Sequence, residues 1–191
     1  MNVLKKILIG LGALIALFLV VGIFLPSSYR VERAIEINKA PEVVFTQVSD
    51  FNNWLKWNPW SEMEPTAKNT ITGEARQAGS SWAWEGKVVG AGSMTFEKIE
   101  PNQRIESKLV FTAPQQAQAQ DSWTFAPTAV GTNVIWHNEG GLDYPLGRYF
   151  GLMMDGSILG PQFEKGLANL KRVCEALPDP APTAAMPSGS M

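Results

Sequence analysis

The chain has 191 residues, with 16 Lys and Arg against 18 Asp and Glu, a net charge of −2, and 45% hydrophobic residues. The two signs are interspersed, so no basic face is set aside for a nucleic acid. One cysteine, Cys174, permits no internal disulfide, and with the single histidine, His137, it leaves too few ligands for an ordinary zinc site.

Ile7 to Leu25 carries no charge. As a helix this stretch spans about 28 Å at 1.5 Å per residue, close to the hydrocarbon thickness of a bilayer. A cleavable signal peptide has a shorter apolar core, roughly 7 to 15 residues, and a small-residue cleavage site, which Phe24-Leu25-Pro26-Ser27-Ser28 does not offer. The stretch therefore reads as an uncleaved membrane anchor. Lys5 and Lys6 precede it while Arg30 and Arg33 follow it, so the charge bias is small. A short tail inserts most simply with its lysines left inside, which puts the N-terminus in the cytoplasm and everything after the anchor on the periplasmic or extracellular side. The expected plan is an anchor and linker over 1–28, one globular domain over 29–177, and a disordered tail over 178–191 rich in proline. Without Lys5 and Lys6, 14 basic residues face 18 acidic ones, a net charge of −4 for the rest of the chain.

Arg30 to Asn38 alternates, with Val31, Ile35 and Ile37 on one face and Arg33 interrupting it, which predicts a half-buried strand. Ala40-Pro41-Glu42 opens a helix, with proline in the first turn and Val43, Val44, Phe45 and Val48 as its buried face. Phe51, Trp54 and Trp57 then recur at i, i+3 and i+6, the stripe of a second short helix that Asn58-Pro59 ends before Trp60. That stripe is expected to dock on the sheet margin and to wall one end of a cavity. Six strands follow, over 70–74, 81–86, 93–100, 103–112, 121–127 and 132–138. Gln77-Ala78-Gly79, Gly90-Ala91-Gly92, Pro101-Asn102 and Val130-Gly131 supply turns between them. Connections this short favour antiparallel neighbours and exclude a doubly wound parallel sheet. Leu159, Phe163, Leu167, Leu170, Cys174 and Leu177 then recur at helical spacing, one long amphipathic helix with Pro161 in its first turn. Gly166 in mid-helix costs about 1 kcal/mol relative to alanine, which points to a close approach by another element.

Five segments taken in order resemble one family: Ala40-Pro41-Glu42-Val43-Val44-Phe45; Phe51-x-x-Trp54-x-x-Trp57-Asn58-Pro59-Trp60; Pro101-Asn102-Gln103-Arg104-Ile105; Gly131-Thr132-x-Val134-x-Trp136; and Phe163-Glu164-x-Gly166-Leu167-x-x-Leu170-Lys171. They resemble the polyketide cyclase/dehydratase-like branch of the START and Bet v 1 (SRPBCC) superfamily. The resemblance implies an α+β helix-grip fold, a curved seven-stranded antiparallel sheet wrapped around the long C-terminal helix with an apolar cavity between them. In this chain one N-terminal transmembrane helix precedes that fold.

Strand parity then sorts the side chains. Trp82 and Trp84, Met94 and Phe96, Ile105, Leu109 and Phe111, Trp123 and Phe125, and Val134 and Trp136 share the inner face, while Ser81, Glu85, Glu97, Lys108, His137 and Glu139 fall outside. The expected ligand-binding residues are Trp82, Trp84, Phe96, Leu109, Phe111, Trp123, Phe125, Trp136 and Asn138, with Met153 and Met154 as a pliable mouth. Asp121, Ser107 and Asn138 are the polar groups of that face. A carboxylate facing an apolar cavity has a raised pKa, so Asp121 is the candidate general acid or base, unless it pairs with Arg33 or a bulge reverses it. His137, beside Glu139, reads as a surface histidine and Cys174 as an inert core thiol. No cofactor or metal is called for. Three readings stay open at this stage. One is a membrane-tethered binding module for a lipid or other hydrophobic small molecule, one a cyclase or dehydratase using the same cavity, and one a structural or interaction domain with a filled core and no ligand.

Overall fold

The computed structural model describes residues 3–178, so the expected tail lies outside the described residues from 179 on. Helix α1 (Val3–Phe24) is long and apolar enough to cross a membrane, a test of length and composition that a signal sequence also passes. Strand β1 (Ser28–Ile37) leads into three short helices, α2 (Pro41–Val48), α3 (Phe51–Trp54) and α4 (Pro59–Met63). Six strands follow: β2 (Lys68–Thr72), β3 (Ser81–Glu85), β4 (Ala91–Glu100), β5 (Arg104–Ala113), β6 (Ala117–Pro127) and β7 (Thr132–Gly141). Helix α5 (Leu146–Met153) and a π-helical turn (Met154–Ile158) then precede α6 (Gly160–Ala176).

One antiparallel sheet contains all seven strands in the order β1-β7-β6-β5-β4-β3-β2. Strands β2 to β7 are successive neighbours, whereas β1 and β2 lie on opposite edges, so α2 to α4 must carry the chain across the whole inner face. This is the helix-grip architecture, with α6 lying against β1 and the inner face.

The crossover is fixed by local chemistry. Asp50 and Asn58 cap α3 and α4, each side chain accepting a backbone N–H two residues on, and Pro59 begins α4 where its missing donor costs nothing. Thus Asn58-Pro59 ends one helix and starts the next. Trp54 Nε1 donates to the Val48 carbonyl at 2.7 Å and Trp57 Nε1 to the Gln47 carbonyl at 3.3 Å. Both acceptors belong to the last turn of α2, where carbonyls lack helical partners. The stripe consequently enters the middle of the fold rather than its margin. Phe51 stacks on Phe96 at 4.0 Å, and Trp57 meets Trp123 and Trp136 edge-on.

Trp123 and Trp136 are partners across β6 and β7 and stack at 4.3 Å, and Phe163 of α6 stacks on Trp136 at 3.9 Å. Arg33 emerges beside this column and binds Glu164 of α6 at 2.8 Å and Asp155 of the π-helical turn at 2.7 Å. It does not pair with Asp121. At Gly166 helix α6 closely approaches the core, since a Cβ there would lie 2.9 Å from Trp136 Cζ3 and 3.1 Å from Pro59 Cδ. Gly166→Ala is therefore expected to destabilise the fold by about 1 to 3 kcal/mol, overpacking outweighing the helix-propensity gain. Thermal unfolding of the full chain checks this, and a higher melting temperature for the variant would contradict it.

Candidate functional site

Parity along β5, β6 and β7 places one polar row across an otherwise aromatic inner face. Asp121 is the cross-strand partner of Ser107 on one side and of Asn138 on the other, with no register shift in either pairing. Two register shifts interrupt the pairing of β4 with β5, between Ala91 and Gly92 and between Phe96 and Lys98, and neither touches β6, so they do not disturb the direction of Asp121. Asp121, Ser107 and Asn138 are all buried.

Asp121 Oδ2 accepts hydrogen bonds from Trp136 Nε1 at 2.8 Å and Asn138 Nδ2 at 3.3 Å. The other face of the Asn138 amide accepts a bond from the Tyr29 hydroxyl at 2.8 Å. A relay of Tyr29, Asn138 and Asp121 thus runs from β1 into the core. Ser107 Oγ, Asp121 Oδ1 and Trp123 Nε1 are buried without a hydrogen-bond partner among the described residues. The Trp123 N–H faces the carboxylate but closes no hydrogen bond of good geometry. Burial pushes the Asp121 carboxyl up to about 7, against the N–H donors of Trp136, Asn138 and Trp123, which pull it down. Burial, then the nearby Asp121, raises the Tyr29 hydroxyl to about 12, so it remains a donor throughout the physiological range.

The expected binding residues divide into two groups. Phe96, Trp123, Phe125 and Trp136 are at most 3% exposed, covered by the Trp54–Trp57 stripe, by α6 and, for Phe125, by Phe45 of α2. Trp82 belongs with them and donates its indole N–H to Asn69 at 2.8 Å. Leu109, Trp84, Phe111 and Met154 are less completely covered. Trp84 and Phe111 lie toward the end of the sheet where β1 begins and β7 finishes. Met153 stands apart from both groups, 45% exposed on α5.

At that same end a cleft of about 110 Å³ opens between β1, α5 and the π-helical turn, lined by Pro26, Tyr29, Leu142, Arg148, Leu152 and Met154. Tyr29 forms part of its wall and is the first link of the relay to Asp121. Neither Tyr29 nor the cleft figured among the sequence-derived residues. The signal was present, because Tyr29 shares parity with Val31 on the inner face, but a strand beginning at Arg30 leaves it out.

His137 lies on the outer face between Glu139 at 3.2 Å and Glu32 at 3.6 Å, away from the row. Cys174 is fully buried, and burial raises its thiol to about 12, which keeps it unreactive. Among the described residues no three His, Cys, Asp or Glu side chains are placed to hold a metal ion.

A protein-family match to polyketide cyclase / dehydrase and lipid transport covers residues 28–175. The chain belongs to this family. No curated protein matches it. Among solved structures, a Rhizobium leguminosarum protein is similar over 78% of this chain and 95% of its own, at 15% identity and TM-score 0.60. A Mesorhizobium loti protein is similar over 76% and 96%, at 15% identity and TM-score 0.56. The di-domain ARO/CYC StfQ from the steffimycin biosynthetic pathway is similar over 78% of this chain and 51% of its own, at 12% identity and TM-score 0.58. At these identities the likeness is one of fold.

The raised carboxyl of Asp121 has a sign that can be measured. Its folded-state value, about 7, lies above the ordinary 3.8, so folding takes up a proton between them. Stability contributed by the neutral acid is complete below about pH 4 and is lost as pH rises toward 7, by at most roughly 4 kcal/mol at 1.36 kcal/mol per pH unit. Asp121→Asn cannot ionise. Its melting temperature is expected to rise relative to wild type between about pH 5 and pH 8, and parallel curves would rule out a raised carboxyl.

Proposed function

We propose that this protein is a membrane-tethered module that binds a lipid or other hydrophobic small molecule against the inner face of its sheet, with α1 as the tether. The observation that carries this reading is the orphaned polar pair on that face. Asp121 Oδ1 and Ser107 Oγ are buried at paired positions on neighbouring strands, and neither has a hydrogen-bond partner among the described residues. An unpaired buried polar atom costs about 1 to 3 kcal/mol, and a ligand hydroxyl or amide set between these two atoms removes that cost. The apolar remainder of the molecule would lie along Leu109, Trp84, Phe111 and Met154, the less covered part of the face, and reach it by way of the Tyr29 cleft. The family's description includes lipid transport, which agrees with such a ligand.

A second reading has its own observation. With a carboxyl near 7, Asp121 could exchange a proton with a bound substrate at physiological pH, as a cyclase or dehydrase requires. The polyketide-pathway neighbour supports this reading through its fold. Among the described residues no second acid, base or nucleophile is bonded to Asp121, however, so the binding role is the stronger of the two.

The wild-type chain, purified whole and extracted with organic solvent, is expected to yield one retained apolar compound by mass spectrometry. Ser107→Ala, which keeps the anchor and removes only the hydroxyl, is expected to retain about tenfold less, a loss of roughly 1.4 kcal/mol. Empty wild-type extracts together with no uptake of the apolar probe N-phenyl-1-naphthylamine would sink the proposal. An Asp121-dependent chemical change in the retained compound would favour the enzyme instead. For orientation, a reporter active only outside the cytoplasm and fused after Leu177 is expected to be active, and a silent but intact fusion would reverse the topology.

A further inference from the structure

Helix α5 has two unlike faces. Gly147 and Gly151 lie against Leu142 at the end of β7, where a Cβ at either position would press on that residue. This glycine face lets α5 sit close to the domain. Leu146, Phe150 and Met153 recur at i, i+4 and i+7, and they are 59%, 47% and 45% exposed. Leu152, on the rim of the Tyr29 cleft, is 63% exposed. Arg148 is the only charged residue of the helix.

Arg148 and the tyrosines beside it turn toward α1. Tyr149 donates its hydroxyl to the Phe18 carbonyl at 2.5 Å and stacks on the Phe18 ring at 4.3 Å. Tyr144 donates to the Leu19 carbonyl at 2.9 Å, and Arg148 Nη1 donates to the carbonyls of Ile23 at 2.9 Å and Gly22 at 3.2 Å. These acceptors occupy the last two turns of the uncharged stretch, so contact with α5 reaches about 10 Å down α1 from Leu25. A helix held beside that part of a membrane span cannot lie in bulk water. Interfacial helices bury their apolar face about 5 to 10 Å into the headgroup and acyl boundary, and tyrosine and arginine are suited to that boundary.

We infer that α5 is an interfacial helix that inserts Leu146, Phe150 and Met153 into the leaflet next to the domain, so that the Tyr29 cleft opens against lipid. This rests on α1 spanning the bilayer. The lipid surface is therefore the partner of the exposed stripe, and an apolar ligand passes from leaflet to cleft without crossing water.

The test uses the full chain reconstituted in phosphatidylcholine–phosphatidylglycerol vesicles, with an environment-sensitive fluorophore attached at Phe150→Cys, Leu152→Cys or Val130→Cys. The native Cys174 is buried and unreactive, and Val130 is exposed in the β6–β7 turn at the opposite end of the sheet. Quenching by lipids that carry a nitroxide on the acyl chain is expected to be at least about threefold greater at 150 and 152 than at 130, with iodide showing the reverse order. Vesicles that float with the protein while position 150 stays open to iodide would overturn the insertion and leave the tether intact. Shielding from iodide without quenching by lipid would mean that a second copy covers the stripe, which also overturns it. Failure to float would remove the tether and the insertion together.

Discussion

A sheet that exposes one aromatic face must have that face covered, and here the cover is a continuous column of rings. Phe163 of α6 stacks on Trp136, Trp136 stacks on Trp123, and Trp57 and Trp54 meet that pair from the crossover side. Each buried indole brings a donor that must be satisfied as well as a large apolar area. The crossover meets this by ending α2 next to the column, so that two carbonyls of its last turn accept Trp54 and Trp57. Trp136 finds Asp121. Only Trp123 is left without a partner, and it faces the same carboxylate. The position of α3, the close approach of α6 at Gly166 and the polar row on the sheet all follow from satisfying this one column.

The row is thus both a structural acceptor and a chemical opportunity. A carboxylate buried among Trp123, Trp136, Asn138 and Ser107 loses its hydration, and two hydrogen bonds at Oδ2 recover only part of it. That imbalance holds the proton near neutrality. An asparagine at position 121 could accept the Trp136 N–H equally well, so the indole alone does not require an acid there. What an acid adds is a second oxygen that the protein leaves unpaired, beside a serine in the same condition.

Periodicity revealed the architecture because these strands are nearly regular. Parity carried correctly from Trp82 to Trp136, and it put Asp121, Ser107 and Asn138 on one face because β5, β6 and β7 pair without a shift. It did not reveal that β6 begins at Ala117, since Ala117-Gln118-Ala119-Gln120 has no strand preference and pairs only because β5 runs beside all four residues and β7 beside Ala119 and Gln120. Helix α5 was equally hidden, its two glycines weakening the helical signal while serving the contact with Leu142. For the tryptophan stripe, spacing identified a common face but not its destination. Which surface a stripe meets depends on strand order, and nothing within Phe51 to Trp60 encodes that β1 and β2 stand on opposite edges.

Strand order also brings the two ends of the relay together. Because β1 pairs with β7, Tyr29 comes to lie beside Asn138, and because β1 follows α1 directly, Tyr29 sits at the end of the domain nearest that helix. The hydroxyl stays protonated, so the Asn138 amide must turn its oxygen toward Tyr29 and its nitrogen toward Asp121. Every fixed donor in the row then points at Oδ2, and Oδ1 alone is free to adapt. A ligand that donates to Oδ1 stabilises the carboxylate, whereas one that accepts from it requires the neutral acid. With the proton balanced near neutrality, the Asp121 carboxyl would meet either kind of ligand at small cost, and whether a proton is released or taken up on binding would tell the two apart.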